Sequence, residues 1–182
     1  MAKVRSRVLV IDASIAMAAG EVSMHPTSRN CREFLQSVLE VCHRMAMTDP
    51  IREEWKKHQS GFARRWLTAM MARRKVVFVE IPAHHSLEKR IARAESNEAL
   101  AAVMEKDRRL IEAALATDER VISLDDRMRQ HLRDHVVKLT EVRSICWVNP
   151  CTPEEEAVAW LAAGAPADRR RLLGYAESRP QE

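Results

Sequence analysis

Three positions in this chain of 182 residues carry carboxylates where a packed domain has little use for them. Asp12 directly follows the apolar run Val8-Leu9-Val10-Ile11, and Asp125 closes a second run, Val121-Ile122-Ser123-Leu124. In open α/β sheets ligands bind outside the carboxyl ends of the strands, so acids at two such ends can point into one crevice. Read singly, each is equally well the first polar residue after a strand, a turn or cap residue. Asp107 adds weight. Ile111 and Ala114 follow it at i+4 and i+7, and Met104 precedes it at i−3, which places the acid on the apolar face of a helix. A lone buried carboxylate is costly unless paired, protonated or bound to metal; a helix-start position or a salt bridge to a neighbouring arginine is the plainer alternative. The fourth acid is Glu53 or Glu54, early in a helix, where the dipole favours acids in any case.

Gathering such acids requires strands and helices in alternation, and the chain supplies them. Val8–Ile11 reads as a strand buried on both faces. Thr27 or Ser28 can cap a helix carrying Cys31, Phe34, Leu35, Val38 and Cys42 at helical spacing. Met45-Ala46-Met47 is a short second strand. Asp49 as cap and Pro50 at the first position start another helix. Its apolar face is Ile51, Trp55, Phe62, Trp66 and Met70, and its other face carries Arg52, Lys56, Lys57, Arg64, Arg65, Arg73 and Arg74. A third strand spans Val76–Ile81, a mostly helical stretch runs from Leu87 to Ala116, and Val121–Leu124 and Ser144–Val148 are the fourth and fifth strands. This pattern predicts a three-layer α/β/α fold with a mostly parallel sheet of four or five strands over residues 1–150. Residues 151–182 read as a helix started by Thr152, Pro153 and the acids 154–156, ended at Gly164, and followed by a loosely attached tail.

The ordered motifs resemble those of the PIN-domain (PilT N-terminus-like) ribonuclease family, which includes VapC-like toxins and RNA-processing nucleases. Val-Leu-Val-Ile-Asp12-Ala-Ser14-Ile resembles the family's opening, and Glu54-Trp55 resembles its second acidic position. Glu54 is favoured over Glu53 because the large apolar residue follows it. Lys106-Asp107 with Ile111, Ala113 and Ala114 resembles the third position, and Ser123-Leu-Asp125-Asp126 with Met128 the fourth. Leu124 departs from the polar residue often found there, and Asp126 could share the role of Asp125. The resemblance covers residues 7–150. It implies a metal-dependent endoribonuclease, in which Asp12, Asp107 and Asp125 bind metal, Glu54 positions a second metal or the water, and Ser14 and Ser123 hydrogen-bond the carboxylates or a phosphate oxygen. Clustered carboxylates repel one another, and oxygen ligands suit Mg²⁺ or Mn²⁺ rather than Zn²⁺. The resemblance further implies an RNA substrate, an antitoxin protein if the chain is the toxin of a type II toxin–antitoxin pair, and a homodimer; Lys56, Lys57, Arg64 and Arg65, which follow Glu54 on its helix, read either as a face that tracks the RNA backbone or as a solvated helix face.

Composition permits this without requiring it. The net charge of +4 and pI of about 9.1 allow a polyanionic partner. Only four glycines argue against a glycine-rich phosphate loop. Cys31, Cys42, Cys146 and Cys151 form no CxxC pair; Cys31 and Cys42 read as packed free thiols on a helix. The N-terminus lacks the apolar stretch of a signal peptide and no run is long enough to span a membrane, so a cytoplasmic location is expected. His131 and His135, at i and i+4, lack an evident third metal ligand, His84-His85 reads as loop, and Trp55 and Trp66 read as core. Two other readings compete. One is a PIN-like RNA- or protein-binding module without catalysis. The other is a phosphoacceptor domain, disfavoured because Ser14 stands where a phosphatase places its second acid and Ile11 and Ala13 flank Asp12 where a receiver needs an acid pair.

Overall fold

The computed structural model describes residues 5–20, 25–81 and 108–175. Its frame is one five-stranded, all-parallel sheet: β1 (Val8–Ile11), β2 (Arg44–Met47), β3 (Val76–Phe78), β4 (Arg120–Ile122) and β5 (Cys146–Val148), in spatial order β3-β2-β1-β4-β5. β1 lies at the centre, and all four of its residues are buried, as its unbroken apolar sequence requires when both faces are covered. β3 is one of the two edge strands, with Phe78 exposed, and it stops three residues short of the expected Ile81.

From β1 the chain builds outward through β2 to β3, then returns to the other side of β1 for β4 and β5. The strand order therefore reverses between β1 and β4. Right-handed crossovers place the intervening helices on opposite faces on either side of that point. The helices are α1 (Ala13–Ala18), α2 (Pro26–Glu40), α3 (Asp49–His58), α4 (Gly61–Ala72), α5 (Asp126–Asp134) and α6 (Ala157–Ala162), and residues 108–115 are also helical. Among the described residues no helix is long and apolar enough to cross a membrane.

Several local expectations are corrected. Neither Thr27 nor Ser28 caps α2: the helix starts at Pro26, and the Ser28 hydroxyl instead donates to the Gly20 carbonyl at 3.1 Å. Cys42 lies beyond α2 and is exposed, whereas Cys31 is buried. Thr48, not Asp49, caps α3 by accepting from the Ile51 amide at 3.3 Å. The long helix expected from Pro50 to Met70 breaks at Gln59 and Ser60. Ser60 starts α4 by accepting from the Ala63 amide, and its own hydroxyl donates to the Ala19 carbonyl at 2.7 Å, tying the break to the end of α1. Trp55 and Trp66 still share one buried face and stack at 5.8 Å.

The C-terminal segment is packed rather than loose up to residue 175. Pro153–Glu155 is a 3-10 turn, Glu156 adopts a left-handed conformation, and α6 follows, with Gly164 after its end. Trp160, Leu161, Ala165 and Leu173 join the same hydrophobic core as the sheet, and the Leu173 amide donates to the Ile145 carbonyl at 2.9 Å. Arg171, in the stretch read as a loosely attached tail, is buried against Glu155 and Asp168.

His43, just before β2, is fully buried and ties both ends of the chain together. Its Nδ1 accepts from the Arg7 amide at 3.0 Å, and its Nε2 pairs with the Leu161 carbonyl at 2.9 Å. That pairing fits the neutral ring with its proton on Nε2. Burial pushes its pKa down, reinforced by the positive charges of Lys75 and Arg7 and opposed by the Leu161 hydrogen bond and Asp118. The unfolded ring binds a proton that the folded ring resists. Stability is therefore expected to be full above about pH 6.5 and to fall as the pH drops below it. Denaturant midpoints measured across this range should show that slope, and His43→Gln should flatten it.

Candidate functional site

The site is built at the carboxyl ends of β1, β4 and β5. These are neighbours in the sheet, and the first two flank the point where the strand order reverses. In parallel sheets that point leaves a crevice, because the helices diverge to opposite faces. The ladder continues into the site: the Asp12 amide donates to the Ile122 carbonyl at 2.9 Å, and the Ser123 amide to the Val148 carbonyl at 3.1 Å.

Asp12 is the N-cap residue of α1, yet its side chain makes no capping hydrogen bond. A carboxylate in that position normally accepts from the first turn, an arrangement typically contributing about 1 kcal/mol. Here its Oδ2 accepts instead from two hydroxyls, Ser14 Oγ at 2.5 Å and Ser123 Oγ at 2.9 Å. The reading of Asp12 as a mere cap therefore fails. Among the described residues nothing donates to Oδ1, and Asp12 is only half-buried. Ser123, which is fully buried, also accepts from the Asp125 amide at 3.1 Å, and Ser14 Oγ accepts from the Leu124 amide at 3.3 Å. The two serines thus lock the end of β1 to the loop after β4.

Asp125 behaves differently. It is exposed and caps α5, its Oδ1 accepting from the Met128 amide at 2.8 Å. Asp126 Oδ2 accepts from Asn149 Nδ2 at 2.7 Å, and Asn149 Oδ1 accepts from the Cys151 amide at 2.9 Å. Asn149 is buried at the end of β5, where the sequence shows only a polar residue before Pro150. Its partner is 23 positions away, so no local signal marks it.

Trp55 fixes the approach of α3: its indole donates to the Ile11 carbonyl at 2.9 Å, directly beside Asp12. Glu54 precedes it with its side chain 28% exposed, against 58% for Glu53, so Glu54 is the acid on the inner flank of α3. The Glu54 carboxylate lies 3.7 Å from Lys57 and 3.4 Å from His58. Glu53 pairs with Lys56 at 2.9 Å, and that hydrogen bond holds the Glu53 carboxyl below the usual range. Lys56 and Lys57 are therefore partly engaged by acids of their own helix. Arg64 and Arg65 are exposed on α4, beyond the break, so the four cations do not form one continuous helix face.

Asp107 lies outside the described residues; Ile111, Ala113 and Ala114 are buried. His84 and His85 also lie outside them. The His131 and His135 rings are 4.3 Å apart, and His135 Nδ1 pairs with the His131 carbonyl. Among the described residues, no group of three or more His, Cys, Asp or Glu gathers in metal-holding geometry. The donors at the crevice are nonetheless of the type a hard divalent cation selects: carboxylate oxygens, one of them held in place and not consumed by capping.

The fold and site together define a doubly wound parallel α/β domain with a hydroxyl-braced carboxylate at its topological switch. No family model, curated protein or solved structure matches this chain.

Proposed function

We propose that the chain is a Mg²⁺- or Mn²⁺-dependent endoribonuclease of PIN type that hydrolyses RNA phosphodiester bonds. The observation that carries this reading is Asp12, an N-cap residue whose carboxylate forgoes capping and is clamped by Ser14 and Ser123 at the switch point. Two hydroxyls converging on one oxygen orient the carboxylate and leave the other to a ligand, the kind of outer-shell support that metal ligands receive. Asp12, Asp107 and Asp125 would hold the metal. When bound, it supplies Lewis acidity toward the phosphoryl oxygens and a more acidic water. Glu54 orients that water or a second ion, Asn149 positions Asp126, and the exposed Arg64 and Arg65 bind the phosphate backbone. In this reading the chain serves as the toxin of a toxin–antitoxin pair, acting as a homodimer and inhibited by a protein antitoxin, or as an RNA-processing enzyme.

One observation favours a second reading, a binding module without catalysis. The Asp125 and Asp126 carboxylates are both engaged by protein donors, the Met128 amide and Asn149. Incubation of the chain with labelled single-stranded and structured RNAs separates the two. The nuclease cuts RNA with Mg²⁺ or Mn²⁺ and stops with EDTA. RNA retention without cutting under every metal condition supports the module instead.

A further inference from the structure

Cys31, on α2, and Cys151, in the turn after β5, are 120 positions apart in sequence, yet their sulfurs approach to 3.8 Å. Cys31 is buried and Cys151 half-buried. The turn that carries Cys151 also belongs to the candidate site, because the Cys151 amide donates to Asn149, which holds Asp126. We infer that Cys31 and Cys151 form a reversible disulfide, a modification site that fastens α2 to the turn beside the carboxylates. The inference stands whether or not the chain cleaves RNA.

The chemistry follows from the unequal surroundings of the two thiols. The hydrogen bond between them and burial raise the Cys31 pKa, while the same hydrogen bond lowers that of Cys151. Cys151 is thus both the more accessible sulfur and the one that more readily becomes thiolate, the form that attacks a disulfide. With a low-molecular-weight disulfide such as glutathione disulfide as oxidant, the Cys151 thiolate attacks one glutathione sulfur and releases glutathione thiolate. Cys31 then attacks the Cys151 sulfur of this mixed disulfide, the second glutathione leaves as thiolate, and the proton of Cys31 passes to it. The protein loses two hydrogens and glutathione disulfide becomes two glutathiones. The sulfurs move from 3.8 Å to about 2.05 Å. Cys146 does not compete, since it is buried and burial pushes its thiol pKa up to about 11.

The test uses the full chain with Cys42→Ser, which removes the exposed thiol from intermolecular exchange. After incubation with glutathione disulfide, intact mass should fall by two hydrogens. Peptide mapping should link the Cys31 and Cys151 peptides, and the melting temperature should rise by roughly 10 °C for so long a closed loop. Dithiothreitol should reverse all three changes, and neither Cys31→Ser nor Cys151→Ser should show them. A stable glutathione adduct on Cys151, a linkage to Cys146, or an unchanged thiol count in the folded protein overturns the inference.

Discussion

Asp12→Asn is expected to lower the rate of metal-dependent RNA cleavage by more than about 100-fold while the fold is retained. Loss of an outer-shell partner of a metal site typically costs about 10–100-fold, and Asp12 is proposed to hold the metal itself, directly or through water. Asparagine keeps the size of the side chain and can still accept from Ser14 and Ser123, so the hydrogen bonds at 2.5 and 2.9 Å need not collapse. The deficit should therefore appear in the rate and not in the circular dichroism spectrum. Ser14→Ala and Ser123→Ala should each cost roughly 10–100-fold, and the double variant less than the product, because both act through one carboxylate oxygen. The same series measured under single turnover separates chemistry from RNA binding. Full activity in Asp12→Asn removes this carboxylate from the site.

The largest stability effect is expected away from the site, at Glu155. Its carboxylate is buried between two arginines, 2.6 Å from Arg129 Nη1 and 3.1 Å from Arg171 Nε, and its carbonyl accepts from Arg171 Nη2. Arg171 is 1% exposed. Replacing a buried ion pair with apolar residues can be neutral, but removing one partner costs about 3–5 kcal/mol where a charge is left unpaired, as Arg129 would be here, while Arg171 keeps Asp168. Glu155→Ala should accordingly lower the melting temperature by roughly 10 °C. The neighbouring Glu154 is exposed, and its alanine variant should stay within about 0.5 kcal/mol of the parent. Thermal melts of the two variants side by side read this directly; equal melts would mean that the C-terminal segment contributes little to the fold.

That network also shows where the sequence stopped being informative. Arg169-Arg170-Arg171 lies in the stretch read as a loosely attached tail, and nothing local distinguishes Arg171 from its neighbours. Its burial depends on Glu155, 16 positions earlier, and on Leu173 pairing with Ile145. β1, β4 and β5 were legible because strands covered on both faces must be continuous apolar runs. α1 was not, since six small and apolar residues carry too little periodicity to separate a helix from a turn. The break between α3 and α4 was hidden because Trp55 and Trp66 keep one face across it. Ser60-Gly61 was the available signal, a cap residue followed by a glycine.

For the site, the sequence marked Asp12 and Asp125 by their positions after strands but could not rank them. The structure separates them by what their carboxylates bind. Asp125 caps its helix and Asp12 does not, a choice set by Ser123, 111 positions from Asp12. Asn149 was invisible for the same reason, as its role exists only through a long-range partner. Glu54 and Glu53 became distinguishable once α3 had a buried side defined by Ile51 and Trp55.

The central proposal is that Asp12, Asp107 and Asp125 hold divalent metal. Calorimetric titration of Mn²⁺ into the wild type, Asp12→Asn and Asp107→Asn, with folding checked by circular dichroism, tests it most directly. Saturable binding by the wild type that weakens at least about 10-fold in both folded variants is the expected result. Equal binding in all three proteins, or none in the wild type, would contradict the account.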